Sequence, residues 1–224
     1  MSKNIFIAFI PARKGSFGIK NKNIIIIKNK KLIEHTILNT FHIKTIDQIF
    51  VSSNERKILD MKKFYKNINF IKRKNKLCTS KSLMKEVMVD FIKSIKEKYN
   101  LKLTNIILLQ PTSPLRNRKD IINAINCFKN KKIKSLVSVS KPLNHPSDMV
   151  YSNGKKIIKS KSELNRQQLK KVYVINGSIY IFNANFFLKT KKFFNEKSFL
   201  FKMHKKNSIE LDENFDLKVL KSFL

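Results

Sequence analysis

Short, continuously apolar runs alternate with segments of helical periodicity along most of this chain, and this alternation constrains the fold more than any other feature. Residues 5–10 and 105–109 are apolar at nearly every position, which is typical of parallel strands that are covered on both faces. In residues 82–99, apolar side chains recur at the three- and four-residue spacing of a helix. This alternation predicts an α/β fold with a mostly parallel, doubly wound sheet and right-handed crossovers.

The same patterns predict the remaining elements and one interruption. Strands are expected at residues 48–52, 68–71, 135–140, 174–183 and 199–203, and helices at residues 32–41, 55–65, 119–128, 184–188 and 214–223. Between residues 141 and 172, Pro142, Pro146 and Gly154 interrupt the pattern, and only short strand-like pieces remain. We therefore expect a single domain over residues 1–224, with an arm inserted at about 141–172.

Two loops directly follow buried strands, and in open α/β sheets ligands bind beyond the carboxyl ends of the strands. The first loop carries Gly15 and Ser16 between the cations Arg13 and Lys22. Small residues let the backbone direct its N–H groups at an anion, and the two cations add positive charge. The loop matches neither the P-loop nor the dinucleotide fingerprint, so it predicts another kind of phosphate site, with an ordinary glycine-containing loop as the alternative. Residues 110–116 form the second loop.

Glu210 and Asp212 place two carboxylates two residues apart in a sequence that has only 15 acidic residues. In an extended segment such residues share one face and can approach the same cation. Mg²⁺ bound with a nucleotide uses one or two carboxylates together with phosphate oxygens. The pair therefore predicts a magnesium site, with Asp216 as a further ligand or as a residue in the first turn of the last helix. A solvated edge is the alternative.

The formal net charge of +33 raises the question of nucleic-acid binding. Of the 48 basic residues 42 are lysine, and isoleucine and asparagine are abundant as well. All three residue types are encoded by codons of A and T alone, so an AT-rich genome enriches them whatever the protein does. The lysines are spread along the chain without a basic motif that interleaves aromatic residues, so we expect no nucleic-acid partner.

The same bias makes the six arginines informative. Where a simple positive charge is enough, this composition favours lysine. A retained arginine therefore more often marks a need for a planar guanidinium that binds its partner through two N–H groups. Arg13, Arg73, Arg116 and Arg166 are the arginines to follow for this reason.

Several classes of protein are excluded by composition. The two cysteines, Cys78 and Cys127, rule out a disulfide framework and a cysteine-rich zinc module. The four histidines are scattered without metal-ligand spacing. No apolar run reaches the roughly 18 residues that cross a bilayer, and residues 5–10 are too short for a secretory signal. We expect a cytoplasmic protein with no membrane partner.

Four parts of the chain together resemble the signature motifs of the acylneuraminate cytidylyltransferases, also called CMP-sialic acid synthetases. They are residues 10–23 (IPARKGSFGIKNKN), 108–116 (LLQPTSPLR), 166–180 (RQQL followed by NGSIY) and 208–212 (SIELD). The order of the motifs matches the family, and they span nearly the whole chain. The resemblance implies a Rossmann-like nucleotidyltransferase fold of the nucleotide-diphospho-sugar transferase type, with a mixed, mostly parallel central sheet. The inserted arm would form a homodimer.

The resemblance also implies a reaction. CTP and a nine-carbon 2-keto sugar acid would give a CMP-sugar and pyrophosphate with Mg²⁺, for surface glycan biosynthesis. The acid would be N-acetylneuraminate or a related legionaminate- or pseudaminate-type acid. A CMP-Kdo synthetase-like enzyme and a catalytically impaired nucleotide-binding relative are the alternatives, and a basic nucleic-acid-binding protein is a remote one.

The family pattern assigns roles to individual residues of this chain. The catalytic residues would be Arg13, Lys22 and Asp212. The residues that contact the nucleotide would be Ala12, Arg13, Gly15, Ser16, Lys22, Asn23, Arg73 and Ser82. The sugar acid would bind to Gln110, Arg166, Asn176 and Tyr180, and the metal ligands would be Glu210, Asp212 and Asp216.

Several places depart from the family pattern, including Lys170 and Val174. Phe17 stands where a basic residue is usual, and Glu210 stands where aspartate is common. Residues 79–81 replace the usual acidic segment after Arg73, which leaves the nucleotide contact of Ser82 open. The departures bear on the identity of the acceptor more than on the reaction.

Overall fold

A computed structural model of the chain describes residues 4–15, 18–131, 133–152, 157–159 and 170–223. The strands are β1 (Ile5–Ala12), β2 (Ile26–Ile27), β3 (Lys30–Lys31), β4 (Gln48–Ser53), β5 (Asn69–Lys72), β6 (Thr104–Leu109), β7 (Ser135–Ser140), β8 (Tyr151–Ser152), β9 (Ile157–Lys159), β10 (Val174–Asn183) and β11 (Phe199–Lys202). The helices are α1 (Leu32–Thr40), α2 (Arg56–Leu59), α3 (Met84–Ile95), α4 (Arg118–Asn130), α5 (Ala184–Thr190) and α6 (Asn214–Phe223). Within these described ranges, no helix has both the length and the apolar character that crossing a membrane requires.

The main sheet has seven strands in the order β11-β7-β10-β6-β1-β4-β5. β1 pairs in parallel with β4 and β6, β4 pairs with β5, and β7 pairs with β11. β10 runs antiparallel to both of its neighbours, β6 and β7. The sheet is therefore mixed but mostly parallel, and the prediction of a doubly wound α/β fold is confirmed.

Helices cover both faces of this sheet. On β1, Ala8 and Ile10 pack in a core with residues of α1 and α4, while Ile7 and Phe9 pack with residues of α3 on the other face. Neither face of the strand meets water, which explains why the run is apolar at every position. Each apolar side chain that is fully buried in this way contributes about 1.5–3 kcal/mol to folding.

A third, smaller core lies beside the carboxyl end of β1. It consists of Ile19, Ile27, Leu32, Leu211 and Leu220, which come from the loop after β1, the β2–β3 hairpin, α1, the segment before α6, and α6. Leu211 lies between the two carboxylates that the sequence singles out. Its burial therefore fixes the carboxylate segment, residues 210–212, against the loop that follows β1.

The helix that the sequence predicts at residues 55–65 forms differently. It is the short α2 followed by a 3-10 turn at Asp60–Lys63. Ile58 and Met61 are both buried and lie three residues apart. Residues at this spacing share one face, and both side chains pack into the core on one side of the sheet.

The helix predicted at residues 82–99 forms only as α3. The Glu86 carboxylate accepts a hydrogen bond from the backbone N–H of Leu83 (3.2 Å) and caps the start of the helix there. After Ile95 the next three side chains are exposed, so no apolar face extends the helix. The β2–β3 hairpin is absent from the sequence-based prediction because two-residue strands carry no periodicity.

The described part of the arm, residues 141–152, 157–159 and 170–172, contributes no strand to the main sheet. It contains a 3-10 turn at Pro146–Asp148 and a separate antiparallel pair, β8 and β9. Nε2 of His145 lies 3.1 Å from the backbone carbonyl oxygen of Lys170. The arm's role in a homodimer stays a prediction.

Candidate active site

A cavity of about 260 Å³ opens at the carboxyl ends of β1 and β6. It is lined by Pro11, Arg13, Lys22, Asn23, Arg73, Met84, Gln110, Pro111, Thr112 and Asp212. Six of these ten residues carry roles that the sequence assigns to nucleotide, sugar acid or metal. The two loops that follow buried strands therefore meet in space, at the edge of the sheet where α/β proteins bind ligands.

Lys22 connects the loop after β1 to the carboxylate segment. Its side chain is almost fully buried, and its ammonium group donates hydrogen bonds to the Leu211 carbonyl (2.7 Å) and to Oδ1 of Asp212 (2.9 Å). The Asp212 side chain is 65% exposed, so its carboxylate remains accessible from the cavity while Lys22 holds it. The structure thus brings together the three residues to which the sequence assigns catalysis, because Arg13 lines the same cavity.

Gly18 allows the loop to approach the carboxylate segment closely. Its φ angle of 82° is in the left-handed region, and a Cβ atom at this position would lie 2.5 Å from the backbone carbonyl oxygen of Asp212. Glycine meets both conditions without a shift of the backbone. The sequence indicates a turn at Gly18 but not this contact, since the two segments are far apart in the chain.

Arg13 connects the cavity to the loop that follows β5. Its Nη1 donates to the Thr79 carbonyl (3.1 Å), and its own carbonyl accepts from the side chain of Asn23 (3.0 Å). The Ser82 hydroxyl lies 2.8 Å from the Thr79 hydroxyl and donates to the Lys76 carbonyl (3.0 Å). Ser82 therefore closes the loop that orients Arg13, but it does not line the cavity.

Arg73 follows β5 and is 5% exposed. Its Nε donates to the Ser52 hydroxyl (3.2 Å), and its Nη2 donates to the Ser52 carbonyl (3.0 Å). Burial lowers the pKa of Arg73 to about 10; Cys78 opposes this shift, and the positive charge of Arg13 adds to it. In the part of the chain that the structure describes, neither guanidinium forms an ion pair with a carboxylate. A polyanion in the cavity would relieve their repulsion.

Thr112 is a site residue to which sequence reasoning assigns no role. Its hydroxyl donates to Oε1 of Glu210 (3.0 Å), and its carbonyl accepts from the backbone N–H of Leu211 (2.7 Å). It also lines the cavity. Its position two residues after Gln110, in the loop that leaves β6, is the signal that identifies it.

Glu210 is partly buried beside Thr112 and β10. Burial raises the pKa of its carboxyl group, the Asp212 carboxylate raises it further, and the hydrogen bond from Thr112 opposes both. A Cβ atom at Gly177 would lie 3.0 Å from both carboxylate oxygens, which shows how closely β10 approaches. Two carboxylates that destabilise each other in this way are oxygen donors that a hard divalent cation stabilises.

Asp216 supports the carboxylate segment from the first turn of α6. Its Oδ2 accepts hydrogen bonds from the backbone N–H groups of Asp212 and Glu213, both at 2.8 Å. Its assignment as a metal ligand stays a prediction. Over the described ranges, no three histidine, cysteine or acidic side chains form a ready metal cluster. Glu210 and Asp212 nevertheless fit a magnesium ion that takes most of its ligands from phosphate and water.

Asn176 and Tyr180 do not line the cavity. The buried Asn176 side chain accepts from the Ser138 hydroxyl (2.6 Å) and donates to the Ser208 hydroxyl (2.9 Å), next to a register shift in β10. Its polar atoms are therefore used inside the fold. The Tyr180 ring packs against Phe193, with 5.8 Å between ring centroids.

The remaining assigned residues belong to the loop after β1 or fall outside the description. The Ala12 carbonyl accepts a hydrogen bond from the Ser53 hydroxyl (2.6 Å), and Gly15 has a left-handed φ of 72°. Both lie in the chain segment that borders the cavity without lining it. Ser16 and Arg166 lie outside the described residues, so their roles stay predictions.

A larger cavity, of about 480 Å³, lies at the opposite edge of the sheet. Its lining includes Asn4, Asn105 and Lys134, which stand at the amino ends of β1, β6 and β7. Its polar residues are almost all lysine and asparagine, in which the whole chain is rich. None of the residues that the sequence assigns lines it, so we place the candidate active site in the smaller cavity.

A mostly parallel sheet with helices on both faces, and a cation-lined cavity at the ends of its strands, are typical of α/β nucleotide-binding proteins. A family model described as cytidylyltransferase matches residues 7–221, and the chain belongs to this family. The identification that the four sequence motifs predict is therefore confirmed.

Curated relatives cover most of the chain. It is 31% identical over 219 residues to the N-acylneuraminate cytidylyltransferase of Escherichia coli, with 95% of this chain and 50% of that protein covered. It is 29% identical over 214 residues to post-translational flagellin modification protein B of Campylobacter coli, with 94% and 91% covered. It is 32% identical over 198 residues to the CMP-N,N'-diacetyllegionaminic acid synthase of Legionella pneumophila, with 85% and 83% covered. The chain thus spans about half the length of the E. coli relative and most of the other two.

A solved structure of CMP:2-keto-3-deoxy-manno-octonic acid synthetase complexed with CTP shares the fold. The TM-score is 0.70 at 12% identity, and 98% of each chain is covered. This likeness confirms the predicted nucleotidyltransferase fold. At such low identity it carries no information on the acceptor.

Proposed function

We propose that this protein transfers the CMP group of CTP to a nine-carbon 2-keto sugar acid and releases pyrophosphate. The observation that carries the proposal is the cavity in which Arg13, Lys22 and Arg73 meet Gln110 and Asp212. Three cations suit the negative charge of a triphosphate, and charge-assisted hydrogen bonds of this kind are strong. Relatives named for N-acylneuraminate and for legionaminic acid support the class of acceptor.

In the proposed reaction, the anomeric hydroxyl oxygen of the acid attacks the α-phosphorus of CTP. A new P–O bond forms, the hydroxyl proton passes to solvent water, and the bond from the α-phosphorus to the bridging oxygen breaks. Pyrophosphate leaves with that electron pair. Reactions of this type depend mainly on positioning and on charge stabilisation. We assign the nucleotide to Ala12, Arg13, Gly15, Ser16, Lys22, Asn23, Arg73 and Ser82, with Ser82 acting through the loop that holds Arg13.

We assign the sugar acid to Gln110, Arg166 and Tyr180. Gln110 lines the cavity directly. The guanidinium of Arg166 would bind the carboxylate of the acid through two N–H groups. Asn176 contributes indirectly, because its side chain fixes the start of β10 through Ser138.

Glu210 and Asp212 are the residues that would hold Mg²⁺, and Asp216 steadies their segment from α6. When bound, Mg²⁺ neutralises phosphate charge and stabilises the leaving pyrophosphate. Lys22 orients Asp212 for this role through its 2.9 Å contact.

We further propose a homodimer in which the arm contacts a second copy. Leu143, Met149 and Val150 of the arm and Val174 and Ile175 of β10 are exposed apolar side chains. Exposed apolar groups that lie together mark surfaces that a partner covers. A CMP-activated sugar acid is a donor for surface glycans, and because CTP is made in the cytoplasm we place the reaction there.

The test is pyrophosphate release from the purified protein with CTP, with and without Mg²⁺. The acceptors are N-acetylneuraminate, legionaminate, pseudaminate and the eight-carbon acid Kdo. We expect release that requires CTP, Mg²⁺ and one of the nine-carbon acids. Release with Kdo alone would overturn the acceptor class. A folded protein that binds CTP but releases nothing would support an impaired relative, and a protein that does not bind CTP would overturn the proposal.

A further inference from the structure

The side chain of Arg116 is buried in a network next to the site, with an exposed fraction of 1%. Its Nη1 donates to the backbone carbonyls of Gln110 (3.1 Å) and Ser178 (2.6 Å). Its Nη2 donates to the Thr36 hydroxyl (2.8 Å). One guanidinium therefore joins three parts of the fold: the loop after β6, β10 and α1.

Both carbonyls belong to segments that border the site. Gln110 lines the cavity. Ser178 directly follows Gly177, which packs closely against Glu210. A Cβ atom on Gly177 would lie 3.0 Å from both carboxylate oxygens of Glu210. Arg116 thus holds the backbone on which the positions of Gln110 and Glu210 depend.

Burying a charged side chain costs desolvation free energy. A buried arginine is therefore notable unless its hydrogen-bond geometry has a role. Burial lowers the pKa of Arg116 to about 9. The Asp120 carboxylate, which opposes this shift, accepts from the backbone N–H of Asn117 at the start of α4 instead of pairing with Arg116. Among the residues that the structure describes, Arg116 forms no ion pair with a carboxylate.

The choice of arginine over lysine indicates what the geometry requires. The chain has 42 lysines against six arginines, so a lysine would be expected wherever positive charge alone is enough. A planar guanidinium donates to several acceptors in fixed directions, which a single ammonium group does not reproduce. Three acceptors on separate elements are such an arrangement.

We propose that Arg116 is a positioning residue for the sugar-acid side of the site, which it fixes through the carbonyls of Gln110 and Ser178 without touching either substrate. The inference rests on the proposed transfer of CMP to a sugar acid. It predicts that loosening Arg116 impairs use of the acid far more than binding of CTP. The cations on the nucleotide side are held by contacts that do not involve Arg116.

The test compares Arg116→Lys with Arg118→Lys as a matched control. Arg118 is exposed, lies two residues further along and also donates to a carbonyl of α1, that of Leu38 (3.2 Å). We expect Arg116→Lys to raise KM for the acid about tenfold or more while KM for CTP changes less than about twofold. Arg118→Lys should leave both constants within about twofold of wild type. Equal changes in the two KM values, or a lower melting temperature with unchanged kinetics, would overturn the proposal.

Hydrogen–deuterium exchange separates failure of this inference from failure of the proposed reaction. We expect faster amide exchange at residues 110–113 and 176–179 in Arg116→Lys, but not in Arg118→Lys. A wild-type protein without acid-dependent pyrophosphate release would refute the proposed function, and the exchange rates would still decide the role of Arg116. Unchanged exchange in both segments would refute the positioning role.

A second variant covers the case in which Arg116→Lys does not fold. Thr36→Val removes only the hydroxyl that accepts from Nη2 and keeps the shape of the side chain. We expect faster amide exchange in the same two segments and a higher KM for the acid, both smaller than in Arg116→Lys. Faster amide exchange confined to α1 would contradict the proposal.

Discussion

Asp212 offers the sharpest test at the scale of a single residue. Its carboxylate is 65% exposed and lies 2.9 Å from the Lys22 ammonium group. We predict that Asp212→Asn lowers kcat by about 100-fold to 1,000-fold, because a neutral amide is a weaker ligand for the cation that would stabilise the reacting phosphates. The melting temperature should change by only a few degrees or less, since the side chain is mostly in water. Steady-state kinetics and thermal melting measure the two effects.

Glu213→Gln is the matched control for this change. It removes an exposed carboxylate from the next position of the same segment. Its kcat should stay within about twofold of wild type, as is usual for surface substitutions. If Asp212→Asn turned over as fast as this control, the role assigned to Asp212 would be wrong.

Glu210 makes stability depend on pH with a definite sign. Burial and the neighbouring Asp212 raise the pKa of Glu210, so the folded chain binds this proton more tightly than the unfolded chain does. Stability is therefore lost as pH rises from the ordinary glutamate pKa, about 4.3, through the raised pKa. We predict that Glu210→Gln melts a few degrees above wild type at about pH 8, and that the difference disappears below about pH 4. Its turnover should fall, because a neutral amide is a poorer metal donor.

Melting curves across this pH range, together with pyrophosphate release, check the prediction for Glu210. Glu213→Gln serves again as the control and should show no gain in melting temperature at high pH. A difference between Glu210→Gln and wild type that stayed constant with pH would show that titration of Glu210 is not its cause.

At the scale of elements, β10 approaches the side chain of Glu210 closely. Gly177 lies between Ile175 and Tyr180, where the pairing register with β7 shifts, and its φ is 65°. We predict that Gly177→Ala loses about 1 kcal/mol of stability, because L-residues disfavour the left-handed region. The new Cβ also displaces the Glu210 carboxylate, so Mn²⁺ used as a probe should bind about tenfold more weakly.

Gly15→Ala is the control for this prediction. Gly15 also has a left-handed φ, of 72°, but an added Cβ would meet no atom within 4 Å. Thermal melting should therefore show a similar loss of stability in both variants. Mn²⁺ titrations without nucleotide should show weaker binding for Gly177→Ala alone, and equal affinities would speak against the contact with Glu210.

Most strands were predictable because burial on both faces favours continuous apolar runs, as in residues 5–10 of β1 and 106–109 of β6. The direction of β10 could not be predicted from its apolar pattern, since an antiparallel strand buried between two neighbours has the same pattern as a parallel one. Helix ends depend on single hydrogen bonds, such as that between Glu86 and Leu83. That bond fixes the start of α3, whereas α2 is shortened because the chain continues as a 3-10 turn.

At the scale of the whole molecule, the exposed apolar side chains at the arm and at the start of β10 predict a dimer. We expect the wild-type protein to sediment as a dimer and Ile175→Glu to sediment as a monomer, because a charged group at a covered apolar surface is strongly unfavourable. Phe64→Glu, at a residue that is 82% exposed on another part of the surface, should remain dimeric. Analytical ultracentrifugation distinguishes these outcomes, and a monomeric wild type would refute the homodimer.

Part of the site was predictable for a topological reason. Arg13 and Gln110 directly follow strands, and Lys22 lies in the loop after β1, so their position at the edge of the sheet can be predicted from the chain. Thr112 enters through contacts with a distant segment, which no local pattern reveals. Asn176 matches the family motif, but its polar atoms bond to serines inside the fold.

The contact between Lys22 and Asp212 joins residues that are 190 positions apart. A ribosome that adds about 5–20 residues per second delivers these two residues on the order of ten to forty seconds apart. Until Leu211 emerges, the Lys22 ammonium lacks both of its acceptors, although β1, β4 and β5 are already available to pair. The nascent chain thus acquires its sheet long before the residues to which we assign catalysis are in place, and under the proposed function a polypeptide stalled during translation would consume no CTP.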